Sequence, residues 1–247
     1  QSLIGRVLAP GGDLGRAWVP WNPGRPDDLE AGVINLFLAN GTADAPLAPP
    51  GERFHYSDTG FMLLALLIET VTGRALGDGY RDRLFQPLGI TDTYLAYRND
   101  PPDLGPRREP EADVWVGPMP VLDSGASLSF DWGGGGLVAS AASLNGFLRG
   151  LLTGALFRDS RTLAAMLDWQ TPPGLAAPRT GVGLGLFRTK EAGLELIGHS
   201  GASGAKMFHA PRHDFFMAGT INQMAAPGTW HWPIAHRFAA ASSGGQA

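Results

Sequence analysis

An α+β fold is what the sequence predicts, and two observations predict it. Up to about residue 180 the apolar residues repeat with helical spacing between long loops, and from Leu184 they fall into short alternating runs joined by tight turns. Helices first and a β-meander afterwards argue for an antiparallel sheet with covering helices, not a doubly wound parallel sheet. The expected organisation is one domain over residues 1–247, with a helical and loop region over about 15–180 and antiparallel strands plus a C-terminal helix over about 181–247.

The clearest helix opens after Asp58 and Thr59, either of which can accept from the exposed N–H groups of a helix start. It runs as FMLLALLIETVT to Gly73, a residue suited to the left-handed position after a helix. Its apolar residues nearly encircle it, which predicts burial on most sides. A second helix is expected over about Leu76–Phe85, stopped at Gln86-Pro87, because proline cannot donate to the preceding turn. A third, over about Ser140–Thr153 with Gly154 after it, carries Leu144, Phe147, Leu148 and Leu151 on one face. Between these lie Gly- and Pro-rich stretches at 10–26, 43–51, 100–120 and 131–136, long enough to wall a site. The β-like runs 184–189, 194–200, 205–210 and 215–222 are separated by turns at 190–193, 201–204 and 211–214, so consecutive hairpins are expected. A final helix around Trp230–Ala241 would start at Pro233, the one place proline favours.

Composition removes several function classes. A net charge of -4 with 17% charged residues leaves no basic stripe for a nucleic-acid backbone and no polybasic anchor for anionic lipid. The longest apolar run, Phe61 to Ile68, is far short of the ~18 residues that insert into a bilayer. With no cysteine there is neither a disulfide, a thiolate metal site nor a cysteine nucleophile, and cytoplasm and periplasm stay equally open. The chain begins at Gln1 without a leader pattern, as a processed product or a piece of a longer chain would.

Three blocks carry a resemblance. Pro50 to Thr93 reads PGERFHYSDTGFMLLALLIETVTGRALGDGYRDRLFQPLGITDT; Gly133 to Ala141 reads GGGGLVASA; Gly198 to Gly204 reads GHSGASG and leads into a hairpin ending at Asn222-Gln223. In this order they resemble the class C β-lactamase and penicillin-binding-protein family, whose members show PG-x-x-F-x-Y-S-N before a buried helix, a GGGLxSTA stretch, and a Lys-Thr-Gly strand with an HxG form. The resemblance implies a metal-free, cofactor-free serine hydrolase acting through an acyl-serine on an ester, amide or β-lactam bond of a small or peptide substrate.

Acyl transfer needs a nucleophile activated by a nearby base, and donors aimed at the developing oxyanion. The resemblance assigns proton transfer to Tyr56, shaping of the polar network to Asp58, and lining of the pocket on an edge strand to His199, Ser200 and Gly201, with the N–H of Ala202 as an oxyanion donor. A phenol titrates near about 10, so Tyr56 serves as a base only where cations lower that value. Two positions depart from the family pattern. Asp58 replaces Asn, exchanging amide donors for a charged acceptor, and His199 replaces Lys, removing a fixed cation. Both lean the reading towards an ester.

The family's nucleophile sits on a Ser-x-x-Lys helix, where the two side chains share a face. Residues 2–14 are similar to the segment that follows that helix, so the nucleophile is expected before Gln1, in preceding sequence or a companion N-terminal segment. The sequence has a single Ser-x-x-Lys, Ser203 to Lys206, and Gly204 within it disfavours a helix. The alternative is a binding or regulatory protein that keeps the pocket without the nucleophile.

Other patterns weaken on physical grounds. Asp58-Thr59-Gly60 and Asp123-Ser124-Gly125 match the tripeptides of aspartic peptidases, but the first runs into a helix and not a β loop. Gly198 to Ala202 nearly spells the G-x-S-x-G elbow, yet no parallel βαβ unit fits between Ser200 and Asp214. His209 and His213 have a metal-site spacing with Pro211 between them and no carboxylate cluster, which suits a solvated turn. Phe130, Trp132, Trp230 and Trp232 read as core aromatics before they read as a stacking platform.

Overall fold

A computed structural model describes residues 41, 46–105, 111–121, 132–224 and 226–244. The stretch at 2–14, the Asp123 tripeptide and Phe130 lie outside the described residues. Six helices and nine strands are seen among the described residues, in an α+β arrangement.

The first, α1 (Asp58–Thr72), is capped one residue earlier than the sequence suggested: the Ser57 hydroxyl accepts from the Gly60 N–H at 3.1 Å. Asp58 therefore occupies the first turn, where its charge favours the helix dipole. Gly73 closes the helix at φ 63° and donates its N–H to Glu69. Burial on most sides is not what the structure shows. Met62 and Ala65 are buried, whereas Leu63, Leu64, Leu67, Ile68 and Val71 are exposed on the opposite stripe, because among the described residues nothing packs there.

The expected second helix is α-helical only over α2 (Leu76–Tyr80), continuing as a π turn (Arg81–Phe85) and a 3-10 turn (Gln86–Leu88) that ends at Gly89. The strand β1 (Tyr94–Leu95) follows, then a small hairpin of β2 (Trp115–Val116) and β3 (Met119–Pro120). The glycine run forms one short helical turn, α3 (Trp132–Gly135), before β4 (Leu137–Val138) pairs antiparallel with β1. Glycine matters at 133: a Cβ there would lie 2.6 Å from that of Ala65 and 2.8 Å from the Phe61 carbonyl, so α3 reaches α1 only without a side chain. Ala65, Leu76, Leu95 and Trp132 close this small core.

Ser140 caps α4 (Ala141–Leu152) by accepting from the Ser143 N–H. A short helix that periodicity did not reveal, α5 (Ser160–Met166), is capped by Asp159. The sheet is a five-stranded meander in sequential order: β5 (Arg179–Val182), β6 (Phe187–Glu191), β7 (Leu194–Ser200), β8 (Lys206–Ala210) and β9 (Phe215–Gly219). Strand alternation splits its faces. Leu194, Leu196, Phe208, Ala210 and Met217 pack on α6 (Trp232–Gly244) through Trp232, Ala235 and Ala239. Ile197, Met207 and Phe216 meet Leu148 and Leu151 of α4 on the other face. Among the described residues no single helix is long and apolar enough to cross a membrane.

Candidate active site

The site lies where the segment before α1 meets the end of β7. Phe54 is tied down by its N–H bond to the Pro173 carbonyl at 2.9 Å, and the chain then delivers Tyr56 to the mouth of a cavity of about 250 Å³. Tyr56, Phe61, Leu64, Leu186, Phe187 and His199 are among the residues lining it. The Tyr56 ring is 5.9 Å from that of His199, 6.4 Å from Phe187 and 6.1 Å from Phe61, while Phe187 and His199 are 5.1 Å apart. Two side chains 143 positions apart in the sequence, Tyr56 and His199, are thus brought ring to ring.

The strand that carries His199 is the middle one of five, not an edge strand. Its pairing explains how a central strand still opens a site. The β6 partner register stops at Phe187 opposite Gly198, whereas β8 continues through Met207 opposite His199 and Lys206 opposite Ser200. From His199 onward, β7 therefore has an open side towards β6. Gly198 is needed at the last shared position, since a Cβ there would stand 1.9 Å from the Met207 carbonyl oxygen.

Burial pushes the His199 imidazole below its ordinary value, and the Arg179 guanidinium pushes the same way against a smaller opposing pull from Asp58. The balance of these effects favours the uncharged ring. Lys206 is 7% exposed and likewise lowered, by burial first and then by Arg179. Its side chain shares the sheet face of Phe208, opposite to His199, so it is not a cation in the cavity.

The remaining expected residues are placed less centrally. Asp58 is exposed on the first turn of α1, close enough to His199 to influence its charge. Ser200, by alternation, faces away from His199, and Gly201 and Ala202 begin the turn to β8. In that turn the Gly201 N–H donates to the Ala205 carbonyl and Gly204 closes back on Gly201 at φ 88°. The N–H of Ala202 has no acceptor among the described residues. Ser203 to Lys206 spans this turn and the first residue of β8, not a helix. Of the pair expected in a solvated turn, only His213 lies in the turn, where it approaches Ser242; His209 is a half-buried residue of β8 that stacks on Phe216 at 4.1 Å, with Asp214 3.9 Å away.

Sequence reasoning missed Phe187 in the cavity wall and Arg179, which stacks on that ring. Phe187 stood out only as one apolar residue in an alternating run, and Arg179 belongs to β5, whose Arg-Thr-Gly-Val carries no alternation. It also missed the docking of the β2–β3 hairpin onto the end of the meander: Trp115 donates to the Asn222 carbonyl, and the Gln223 amide exchanges two bonds with the backbone of Gly117 at 2.9 and 3.0 Å.

Comparison with known proteins gives a consistent grouping. A family model described as Beta-lactamase matches residues 13–237. A D-aminopeptidase of Cereibacter sphaeroides is 28% identical over 169 residues, which are 66% of this chain and 30% of that protein. The unguisins hydrolase ungD' of Aspergillus campestris is 43% identical over 49 residues, 20% of this chain and 9% of its own. The chain thus spans less than a third of the length of either relative. Among solved structures, the D-amino acid amidase from Ochrobactrum anthropi SV3, complexed with D-phenylalanine, superposes with a TM-score of 0.69 at 22% identity, covering 90% of this chain and 70% of that one.

Proposed function

The chain belongs to the beta-lactamase family, and on that premise we propose that it forms the Tyr56–His199 half of a serine hydrolase that cleaves amides of D-amino acids through an acyl-serine intermediate. The observation that carries the reading is the ring-to-ring placement of Tyr56 and His199 at the mouth of an aromatic cavity. Tyr56 is the proton-transfer group, with the lysine of the Ser-x-x-Lys helix as the nearby cation such a base needs, His199 a hydrogen-bonding wall, and the Ala202 N–H an oxyanion donor. The cavity's Phe61, Phe187, Leu64 and Leu186 suit an apolar or aromatic acyl side chain. Exchange of Asn for Asp58 and of Lys for His199 leaned the sequence towards an ester; the relatives' names, a D-aminopeptidase and a D-amino acid amidase, favour the amide.

The nucleophile in this reading is a serine of a Ser-x-x-Lys helix outside these 247 residues, because the single such motif here lies in a turn. The exposed stripe of α1, with Leu63, Leu64, Leu67, Ile68 and Val71, is the apolar surface a companion segment of that kind would cover. The test is turnover of D-phenylalanine p-nitroanilide by the intact gene product. Tyr56→Phe should lower kcat by about 100-fold or more with KM changed less than about threefold. Equal rates for wild type and variant would remove Tyr56 from the mechanism, and no turnover of any amide or aryl ester would favour a binding module.

A further inference from the structure

Three of the described glycines line the cavity, Gly60, Gly183 and Gly185, and two of them have a reason in the backbone. A Cβ at Gly183 would stand 2.3 Å from the Met166 carbonyl oxygen, and Gly185 holds φ at 76°, in the left-handed region that side chains avoid. Gly60 meets neither condition. It lies in the first turn of α1 without a positive φ, and a Cβ built there meets the Ser57 Cβ and Oγ at 3.7 Å, an ordinary contact, as its nearest described neighbours. Glycine also weakens a helix relative to alanine, so neither the local fold nor the packing of the described residues favours it at this position.

The place of Gly60 on the helix says what the absent side chain leaves open. Ser57, Gly60, Phe61 and Leu64 recur at the spacing of one helical face, and all four line the cavity. Gly60 is therefore a notch in a wall otherwise built of side chains, next to the Phe61 ring that meets Tyr56 at 6.1 Å. At about 250 Å³ the cavity is smaller than ligand pockets of about 300–1,000 Å³. In so small an apolar space one added methyl group discriminates by about tenfold or more. We propose that Gly60 is a specificity-determining residue: the room left by its missing side chain admits a D-aminoacyl group as large as benzyl, so that the site selects aromatic over small acyl groups. The substrate class rests on the hydrolase reading above, while the selection by size is measurable by binding alone. The same face continues into Leu64, which is half exposed, so the rival reason for a glycine is close approach of a segment outside the described residues. The two reasons respond differently to a methyl group.

The experiment compares kcat/KM of the intact gene product on D-phenylalanine p-nitroanilide and D-alanine p-nitroanilide, for wild type, Gly60→Ala and Gly60→Leu. Wild type should favour the phenylalanine substrate by about tenfold or more. Gly60→Ala should lower that ratio by about tenfold, with the alanine substrate changed less than about threefold and Tm no lower than wild type, and Gly60→Leu should reverse the preference. A wild-type ratio of one, or a ratio unmoved by the methyl group, overturns the proposal. A loss on both substrates together with a lower Tm assigns Gly60 to close packing and overturns it as well. Should Gly60→Leu unfold, Gly60→Ala decides. Should the intact gene product hydrolyse neither substrate, the D-amino acid amide reading fails, and the ratio is taken from calorimetric Kd values for D-phenylalaninamide and D-alaninamide. A preference for the larger amide that Gly60→Ala removes upholds the notch; no preference, or one that Gly60→Ala leaves intact, overturns it.

Discussion

Acid should destabilise this fold through His231, and the size of the effect follows from its surroundings. His231 is 5% exposed, stacks on Phe208 at 4.9 Å and 14°, and its Nδ1 finds no partner among the described residues. Burial, followed by the charge of Lys206, lowers its value to about 4, with a hydrogen bond to the Gly228 backbone opposing weakly. The unfolded chain titrates this ring near about 6.5. Between those two values the unfolded state binds more protons, so stability rises with pH across the window and is lost as pH falls through it. From pH 8 to pH 4.5 the loss is about 2.5 kcal/mol, and for a chain of this size that is a Tm decrease of about 5–10 °C. The perturbation is His231→Phe, which keeps an aromatic ring on Phe208 and removes the titration. Circular dichroism melts of both proteins at pH 8 and pH 4.5 share every other ionisable group, so the difference between their Tm changes isolates His231. The variant should lose about 5–10 °C less than wild type on acidification; parallel decreases would refute the linkage.

Two further predictions concern glycines that hold the site together. Gly133→Ala pushes α3 off α1 at Ala65 and the Phe61 carbonyl, and should cost about 1–3 kcal/mol in chemical denaturation with the slope unchanged. Gly198→Ala sets a methyl against the Met207 carbonyl beside His199 and should cost more, about 3 kcal/mol or above, with loss of ligand binding at the cavity; a variant as stable as wild type would mean that β7 and β8 are further apart than described.

How much was legible depends on how local each cause is. The meander was readable because every hairpin is adjacent in sequence and each turn announces itself, as at Gly193 with φ 87° and Gly204. Tyr56 and His199 were singled out because their flanking residues form recognisable blocks, although no local rule says the two rings meet. By contrast, β5 was missed because Gly181 interrupts it and its inward residue is that glycine. The glycine run reads as loop on propensity, yet tertiary contact with α1 makes it a helical turn at Gly133. Encirclement of α1 by apolar residues reports composition and not what packs against each stripe, so its exposed face was not foreseen. The central position of β7 was missed for a related reason: the open side at His199 comes from where β6 ends, which is a property of the partner strand.

The central claim, an acyl-serine hydrolase whose nucleophile is a Ser-x-x-Lys serine served by Tyr56 and His199, is tested most directly by labelling. The intact gene product is treated with a fluorophosphonate probe and the modified peptide is mapped by mass spectrometry, which reports the nucleophile without knowledge of the substrate. The account predicts a single label on the serine of a Ser-x-x-Lys peptide outside these 247 residues, formed more slowly in Tyr56→Phe. Label on Ser200 or Ser203, or none at all, would contradict it.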